Sequence, residues 1–575
     1  MRTICSGSAG TLAFENPLEV VSADNAAGVL ASFERIEAAL DDGKYVAGFL
    51  SYELGAVLVP KQRTLVAAPL PLLSIGVYEA PATPDEARGD FSVGPLAPGV
   101  STTGYRAAIA TILAAIREGE VYQVNYAVPF HFGFTGDPYG FYGRLTQDRA
   151  FPHAAYVETD EFALVSCSPE LFLSFEGARI VAKPMKGTAR HTEPAALGDE
   201  KNRAEHVMIV DLLRNDLHRL SDRVEVERLF EVERYPAFVT MTSTIAAELE
   251  QARSFGEILN ATFPSGSVTG APKAAAMQWI ARVEREPRGI FCGSIGYLGP
   301  SRTGSWNVAI RTAAIDKRTG RGVLNVGGGI VADSDADAEW REIETKRRFF
   351  DAVTPRYALI ETLALADGLY RRLAGHLARL ERSADALHFA YDADRVLAAL
   401  ELERPHHNGL VRLALEPDGT VKTRRRALRS SLEPVALCWA SEILDSSEPL
   451  LRHKTSWRPL HDAALANAQR NGCFDALLCN ERGDIADGSR STLFVRDGTT
   501  LLTPPLSAGA LPGVLRASLL ATGDAREARI TPNDVARATE IFVGNSARGM
   551  LRAFVISSNG DSQANAARDL PASAW

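Results

Sequence analysis

Lys186 lies in the run Lys183-Pro184-Met185-Lys186-Gly187-Thr188-Ala189-Arg190 and is a candidate nucleophile. An unperturbed lysine titrates at about 10.4, so only about one in a thousand or fewer is neutral at pH 7. Attack on an electrophile therefore requires burial or a neighbouring cation. On residue type alone, Pro184 and Gly187 mark a bend and favour an exposed turn lysine, so the groups around Lys186 decide its meaning.

Carboxylates and glycines supply that context. Ile209, Leu212, Leu213 and Leu217 recur at helical spacing, which predicts a helix over 205–217 with Glu205 one turn before Ile209 on the inward face. An unpaired buried carboxylate costs several kcal/mol, so an inward Glu205 needs a cation or donors. If the helix frays at its first turn, Glu205 merely complements the helix dipole, and the two readings stay open. Glu339, Glu342, Ile343, Lys346 and Phe350 share a second helical stripe behind a cap candidate, Ser334. Such a stripe is usually a solvated face. Magnesium, however, accepts a carboxylate oxygen from each of two elements, and these two helices could supply them. Gly327-Gly328-Gly329 permits backbone amides to approach an anion, or forms a turn at a strand end. Arg311 can grip a carboxylate with two parallel hydrogen bonds.

The 575 residues exceed one compact core. Hydrophobic content of 46%, charged content of 23% and a net charge of -9 describe an ordinary globular chain and speak against a nucleic-acid partner. The chain shows neither an apolar run of membrane-spanning length nor a signal peptide, so a cytoplasmic protein is expected, with no membrane association. Cysteines 5, 167, 292, 438, 473 and 479 show no Cys-x-x-Cys spacing and read as reduced core thiols.

The Pro-, Gly- and Ala-rich stretch 81–104 reads as a connector between an N-terminal subdomain, 1–95, and the rest of a first domain, 1–350. A helical, charged segment ends near Thr354-Pro355, and a second domain, 356–575, begins with an apolar strand. The tail after about 556 is small and polar enough to be loosely held. The apolar runs Phe162 to Ser166 and Leu171 to Phe175 look like a hairpin pair interrupted at Ser168-Pro169, which suits an α+β fold with antiparallel sheets.

Ser168-Pro169-Glu170, Ala204-Glu205-His206, Thr269-Gly270-Ala271-Pro272-Lys273, Gly293 to Tyr297, Ala309 to Thr312 and Gly327 to Ser334 accompany the lysine run. Together they resemble the chorismate-utilising enzymes. Within that superfamily the Lys186 position resembles aminodeoxychorismate synthase component I, because anthranilate synthases usually carry Ala there. The resemblance implies two packed antiparallel sheets with outer helices and the active site between them. It implies Mg²⁺ held by Glu205 and Glu342 with Glu339 nearby, and a substrate-binding set of Thr269, Tyr297, Arg311, Gly327, Gly328, Gly329 and Lys346. Tyr297 and Arg311 match residues that hold the enolpyruvyl carboxylate. Lys186 is expected to attack C2 of chorismate, with Glu170 protonating the departing C4 hydroxyl; ammonia then adds at C4 and displaces the lysine. Leu171 stands where the family commonly has Arg, and Thr240 where it often has His. The chain contains no Gly-x-Cys-x-Gly glutaminase nucleophile, so a separate glutamine amidotransferase is expected to supply ammonia.

From residue 356 onward the motifs change. Ile360-Glu361-Thr362, Gly375-His376-Leu377-Ala378-Arg379-Leu380, His453-Lys454-Thr455, Leu511 to Arg516 and Phe542 to Gly549 resemble the fold-type-IV pyridoxal 5'-phosphate enzymes, a branched-chain-aminotransferase-like fold. The resemblance is specifically to 4-amino-4-deoxychorismate lyase. Such chemistry needs a lysine for the cofactor, a phosphate cradle and an acid for the pyridine nitrogen. Lys454 matches the cofactor lysine and Arg379 the phosphate arginine; Gly513 and Val514 open a helix whose amides could cap the phosphate, with Asn545 and Ser546 completing the cradle. Asp487 stands where the family has Glu, and Thr492 where it has Asn. Thr362 matches the threonine that assists proton transfer. Without the motifs, Arg379 would be a helix-surface charge and Lys454 a loop lysine.

Joined, the two halves are expected to make 4-aminobenzoate for folate from chorismate through aminodeoxychorismate, with a homodimer through the C-terminal half among the assemblies this allows. The rival readings are an anthranilate-type synthase fused to a class IV aminotransferase, and an active synthase carrying a non-catalytic C-terminal scaffold.

Overall fold

In the first 355 residues the chain passes between two antiparallel sheets, and its crossings determine where reactive side chains meet. The computed structural model describes residues 1–7, 10–59, 68–147, 151–189, 200–235, 238–404 and 408–556; Arg190 and the tail after 556 lie outside them. Two compact units emerge, Met1–Pro355 and a second beginning at Arg356.

One sheet of the first unit runs, neighbour by neighbour, through Gly270–Ala271, Gln123–Gly136, Arg321–Ile330, Thr312–Asp316, Phe162–Ser166, Ala155–Glu158, Arg2–Gly7 and Gly10–Phe14. The other runs through Met185–Ala189, Phe238–Glu248, Arg179–Lys183, Leu171–Glu176, Thr303–Asn307, Ser294–Leu298, Tyr45–Leu50, Leu73–Tyr78 and Glu19–Ala23, with Arg223–Tyr235 also paired to Phe238–Glu248. Phe162–Ser166 and Leu171–Glu176 are therefore not a hairpin. They belong to different sheets, and Cys167 to Glu170 is the step between them. Phe162–Ser166 is buried throughout and Leu171–Glu176 over its first three residues, so their pattern could not say which neighbour each would take.

Residues 81–104 also differ from the expected connector. Within them Phe91–Val93 and Ala97–Pro98 pair with the far end of Gln123–Gly136, and the helix Thr102–Arg117 begins. Strands of three and two residues are too short to show a period. The residues before 95 contribute strands to both sheets rather than standing apart as a subdomain.

Helices cover the sheets by their apolar faces. Thr102–Arg117 starts where the Ser101 hydroxyl accepts a hydrogen bond from Gly104 N and buries Tyr105, Ile109, Ile112 and Ala115. Glu200–His218 begins five residues earlier than expected and buries Ile209, Leu213 and Leu217, each worth roughly 2 kcal/mol. Ala336–Asp351 is capped by Asp335, whose carboxylate accepts from Ala338 N, and not by Ser334. Ser334 instead accepts from Val331 N and donates to Glu339 Oε1 at 2.6 Å. Trp306, Phe141, Phe255 and Phe350 fill the interior. The six cysteines are free thiols, four of them buried.

The second unit has a four-stranded antiparallel sheet, Leu369–Tyr370, Leu359–Ala366, Gly409–Leu415 and Val421–Arg426. Its eight-stranded sheet is mixed: Val435–Leu444 runs parallel to both Asp475–Asn480 and Gly549–Val555, whereas Thr492–Asp497 is antiparallel to Ile541–Asn545. Among the described residues no helix is long and apolar enough to cross a membrane.

Candidate active sites

Two inter-sheet crossings lie side by side in the first unit. Cys167 to Glu170 leads from one sheet to the other, and Val308 to Arg311 returns. They are stitched together where Val308 N donates to Glu170 O at 3.0 Å, Ser168 Oγ to Val308 O at 2.6 Å, and Cys167 N to Arg311 O at 3.0 Å. Along this seam Glu170 lies against Val308 and Arg311 against Cys167, and Arg311 takes a left-handed backbone, φ 53°, to make the turn. Glu170 is buried, and Ser267 Oγ donates to its Oε1 at 2.6 Å. Burial pushes the Glu170 carboxyl up to about 7; the Ser267 hydrogen bond and the charges of Lys186 and Lys346 pull the other way.

Lys186 lies in a strand, not an exposed turn. In the pairing of Met185–Ala189 with Phe238–Glu248, Lys186 sits opposite Met241 and Thr188 opposite Thr240, leaving Gly187 as an extra residue. Gly187 has φ 71°, a conformation that favours glycine, so this is a bulge of the kind that re-aims a side chain. Thr240 Oγ1 donates to Gly187 O at 2.6 Å and fixes it. The ammonium of Lys186 meets Glu205 Oε2 at 2.5 Å, and both side chains are largely buried. Because the helix starts at Glu200, Glu205 is not in a frayed first turn. It is an inward carboxylate with a cation, the first of the two sequence readings.

The glycine triplet lies within the strand Arg321–Ile330, with Gly327, Gly328 and Gly329 opposite Ala127, Tyr126 and Asn125. The neighbour on the other edge, Thr312–Asp316, pairs only as far as Leu324, so beyond that point this edge has no strand partner among the described residues. A side chain on Gly328 would come within 3.5 to 3.8 Å of Glu339 Oε2, Lys346 Nζ and Glu342 Oε1, so all three charged groups border the open space at this glycine. Lys346 Nζ pairs with Glu342 Oε1 at 2.7 Å and donates to Gly327 O at 2.7 Å.

Two expected substrate residues are placed otherwise. Tyr297 follows Gly296 along a strand, and its ring packs against Phe14, centroids 5.3 Å apart, in a core cluster with Cys5 and Phe49. It is a core residue. Thr269 is fully buried, and its hydroxyl contacts Ser265 O at 3.1 Å, bracing the turn that carries Ser267.

In the second unit Lys454 is anchored by its backbone: Ile360 N donates to Lys454 O, and Ser456 N to Ala358 O, both at 2.8 Å. Its amine makes no hydrogen bond or ion pair with the described residues. Burial, aided by the positive charges of Arg458 and Arg379, lowers Lys454 to about 7, so about half is neutral at pH 7. Arg379 is buried, not a helix-surface charge. It donates to Glu361 through Nε at 2.8 Å and Nη2 at 2.6 Å, and to Pro512 O through Nη1 at 3.2 Å. His376 joins Glu361 Oε2 at 2.6 Å through Nδ1 and Ser546 Oγ at 2.8 Å through Nε2. Burial alone would raise Glu361, but Arg379 and His376 hold it at about 2, so it is an anion under all working conditions.

Beside Arg379 the helix Val514–Thr522 opens at Gly513 with no side-chain cap, leaving its first amides for an anion. Thr492 Oγ1 would lie 3.2 Å from a side chain on Gly513, so Thr492 borders this helix end. Asp487 is buried and accepts only backbone hydrogen bonds, from Leu511 N at 3.2 Å and Gly488 N at 3.1 Å. Burial pushes it up to about 7, and the nearby Asp475 adds to this. Asn545 uses its amide on the turn itself, accepting from Ala547 N and Arg548 N, so of the expected pair only Ser546 joins the Arg379 network by its side chain. Thr362 is half-buried, on the sheet face opposite Glu361.

Sequence reasoning missed Ser267, Glu361 and His376 as partners. A glutamate within an otherwise apolar strand was the available sign for Glu361; Ser267 left none, because its link to Glu170 spans 97 residues.

Residues 2–352 match the family model described as chorismate binding enzyme, and residues 358–554 that described as amino-transferase class IV. Aminodeoxychorismate synthase component 1 of Escherichia coli K12 is 38% identical over 238 residues, 40% of this chain and 52% of that protein. Anthranilate synthase component 1 of Aquifex aeolicus is 37% identical over 244 residues, 40% of this chain and 49% of that protein. The chain thus spans about half the length of the curated relatives it matches. The solved anthranilate synthase component I of Streptococcus pneumoniae TIGR4 superposes with a TM-score of 0.51 at 24% identity, covering 61% of this chain and 92% of that one.

Proposed function

The chain belongs to the chorismate binding enzyme family, and from that premise we propose that its first unit converts chorismate and ammonia to 4-amino-4-deoxychorismate and its second removes pyruvate to release 4-aminobenzoate. The observation that carries the reading is Lys186, aimed by a bulge beside Glu205 in a site whose other reactive group is the buried, protonatable Glu170. The two relatives named above are almost equally similar, so overall identity does not choose between amination at C4 and the anthranilate reaction. A lysine in this site, where the anthranilate synthases usually carry Ala, favours the first.

In this reading neutral Lys186 attacks C2, the ring double bond shifts, and the C4 hydroxyl leaves as water with the proton from Glu170. Ammonia then adds at C4, the double bond returns, and Lys186 departs with the proton that the ammonia gives up. A partner glutamine amidotransferase supplies the ammonia. Arg311 at the seam and the glycine edge at 327–329 receive substrate carboxylates.

Glu339 and Glu342 offer the oxygen donors magnesium prefers around the open space at Gly328, and Glu205, paired with Lys186, would be the third. Among the described residues no three such groups yet enclose a metal, since lysines hold Glu205 and Glu342. Bound there, Mg²⁺ would neutralise these carboxylates and draw in a substrate carboxylate. Glu342→Gln is expected to cut Mg²⁺-dependent consumption of chorismate by at least about tenfold while pyruvate release from added aminodeoxychorismate continues. The assay incubates chorismate, Mg²⁺ and ammonium with each protein and identifies products by mass. Full synthase activity in the variant would remove Glu342 from the metal site, and anthranilate as the product would remove the C4 reading.

Since Glu170 must be protonated to donate, turnover of chorismate should fall as pH rises through about 7. Ser267→Ala deletes a donor to the ionised carboxylate and should move that alkaline limb upward. A pH profile of kcat whose limb stays in place would show that Ser267 does not act on Glu170.

The second unit fits pyridoxal 5'-phosphate: a buried Lys454 whose amine has no hydrogen bond or ion pair among the described residues, an arginine beside an uncapped helix end, and a buried Asp487 whose carboxylate accepts only backbone hydrogen bonds. Pyridoxal 5'-phosphate would supply the electron sink that the elimination needs. Arg379, Gly513 and Val514 would hold its phosphate, Asp487 its ring nitrogen. Lys454 is positioned to take the C4 proton and Thr362 to assist protonation of the departing enolpyruvyl group.

A further inference from the structure

The four-stranded sheet of the second unit bears two arginines in direct opposition. Thr362 in Leu359–Ala366 pairs with Arg412 in Gly409–Leu415, and Arg412 with Arg424 in Val421–Arg426. Residues opposed across antiparallel strands share a face, so the three side chains form one row. Like charges placed this way are destabilising. Neither arginine forms a hydrogen bond or ion pair with the described residues, whereas Arg379 is balanced by Glu361, Lys422 by Glu416 and Arg425 by Glu403. Lys454 O accepts from Ile360 N, two residues before Thr362 on the same strand, and Arg412 stands within electrostatic reach of both Lys454 and Arg458, so the row lies beside that lysine.

Cations on an edge strand commonly deter strand pairing with another molecule. That accounts for Arg424, Arg425 and Arg426 alike as exposed charges of the outermost strand. It does not explain Arg412, which is half-buried on an interior strand.

We propose that Arg412 and Arg424 form a subsite for a ring dicarboxylate, each guanidinium taking one carboxylate and together orienting the substrate over Thr362 and Lys454. The inference rests on the lyase reading and deepens it, since aminodeoxychorismate carries a carboxylate on the ring and another on the enolpyruvyl arm. The planar fork of arginine suits two parallel hydrogen bonds to each.

The test uses the full chain loaded with cofactor. Arg412→Ala and Arg424→Ala are each expected to raise KM for added aminodeoxychorismate at least about tenfold, with kcat changed less than about threefold. The visible band of the bound cofactor and the chorismate turnover of the first unit should be unchanged, which reports an intact fold. Arg425→Ala, on the opposite face of the same strand, is the control and should leave KM as it is. In parallel, calorimetry with benzene-1,3-dicarboxylate and benzoate should show that the unmodified protein prefers the dicarboxylate and that the two variants lose the preference. An unchanged KM in both variants, or a dicarboxylate preference that survives in them, overturns the subsite. If the unmodified protein releases no pyruvate, the lyase reading falls; the subsite stands if the preference is present and lost in the variants, and falls if it is not.

Discussion

Lys454→Ala is expected to abolish the visible band of the cofactor lysine and to lower release of pyruvate and 4-aminobenzoate by more than about a thousandfold. The structure explains the size of the effect. In the proposed reading Lys454 is at once the amine for the cofactor and the group that moves a proton, and burial beside the charges of Arg458 and Arg379 lowers its pKa and so favours the neutral amine that both tasks need. The first unit has its own core and a separate set of reactive groups, so the variant should still consume chorismate at the unmodified rate and accumulate aminodeoxychorismate. Absorbance of the loaded protein and the mass of the accumulating product check both halves. Transfer of amino groups from the unmodified protein to 2-oxo acids, without pyruvate release from aminodeoxychorismate, would make the second unit a transaminase.

Lys186→Ala should remove at least about a hundredfold of aminodeoxychorismate formation, leaving slow direct addition of ammonia. The covalent adduct is the decisive readout. With chorismate and Mg²⁺ but no ammonia, intact-protein mass spectrometry should find an adduct on the unmodified chain and none on the variant. Near-normal turnover by the variant would reduce Lys186 to a counter-ion for Glu205, with which it is paired at 2.5 Å. Lyase activity toward added aminodeoxychorismate serves as the internal control for folding.

Lys186, Lys454, Arg379 and the carboxylates could be singled out as candidates because each sits in a motif run that resembles a known family; by residue type alone each lysine read as a turn or loop residue and Arg379 as a surface charge. Periodicity placed Glu205 inward correctly and could not see that the helix starts at Glu200, because the preceding polar turn has no apolar stripe. Ser334 and Asp335 are both good caps, and only the backbone chose between them. Tyr297 shows the limit of a motif. Neighbours in a strand point to opposite faces, so membership in the run Gly293 to Tyr297 says nothing about which side of the sheet a ring occupies. The sheet assignment of Leu171–Glu176 and the Ser267–Glu170 bond depend on contacts between distant parts of the chain. No local pattern encodes those.

The bulge at Gly187 makes the aim of Lys186 a matter of counting. In a pleated strand, every residue added or removed turns all that follow to the other face. Between Pro184 and Thr188 the chain carries one residue more than its partner strand requires, and this surplus sets which face each neighbour presents. Deleting Gly187 would restore an even ladder and so be tolerated by the backbone, yet it would change the side on which one flank of the bulge presents its residues relative to the other. Variation among chains of this kind should accordingly keep the length of this strand along with Lys186, and an insertion or deletion between residues 184 and 188 should be more damaging than substitution of the residues flanking that lysine.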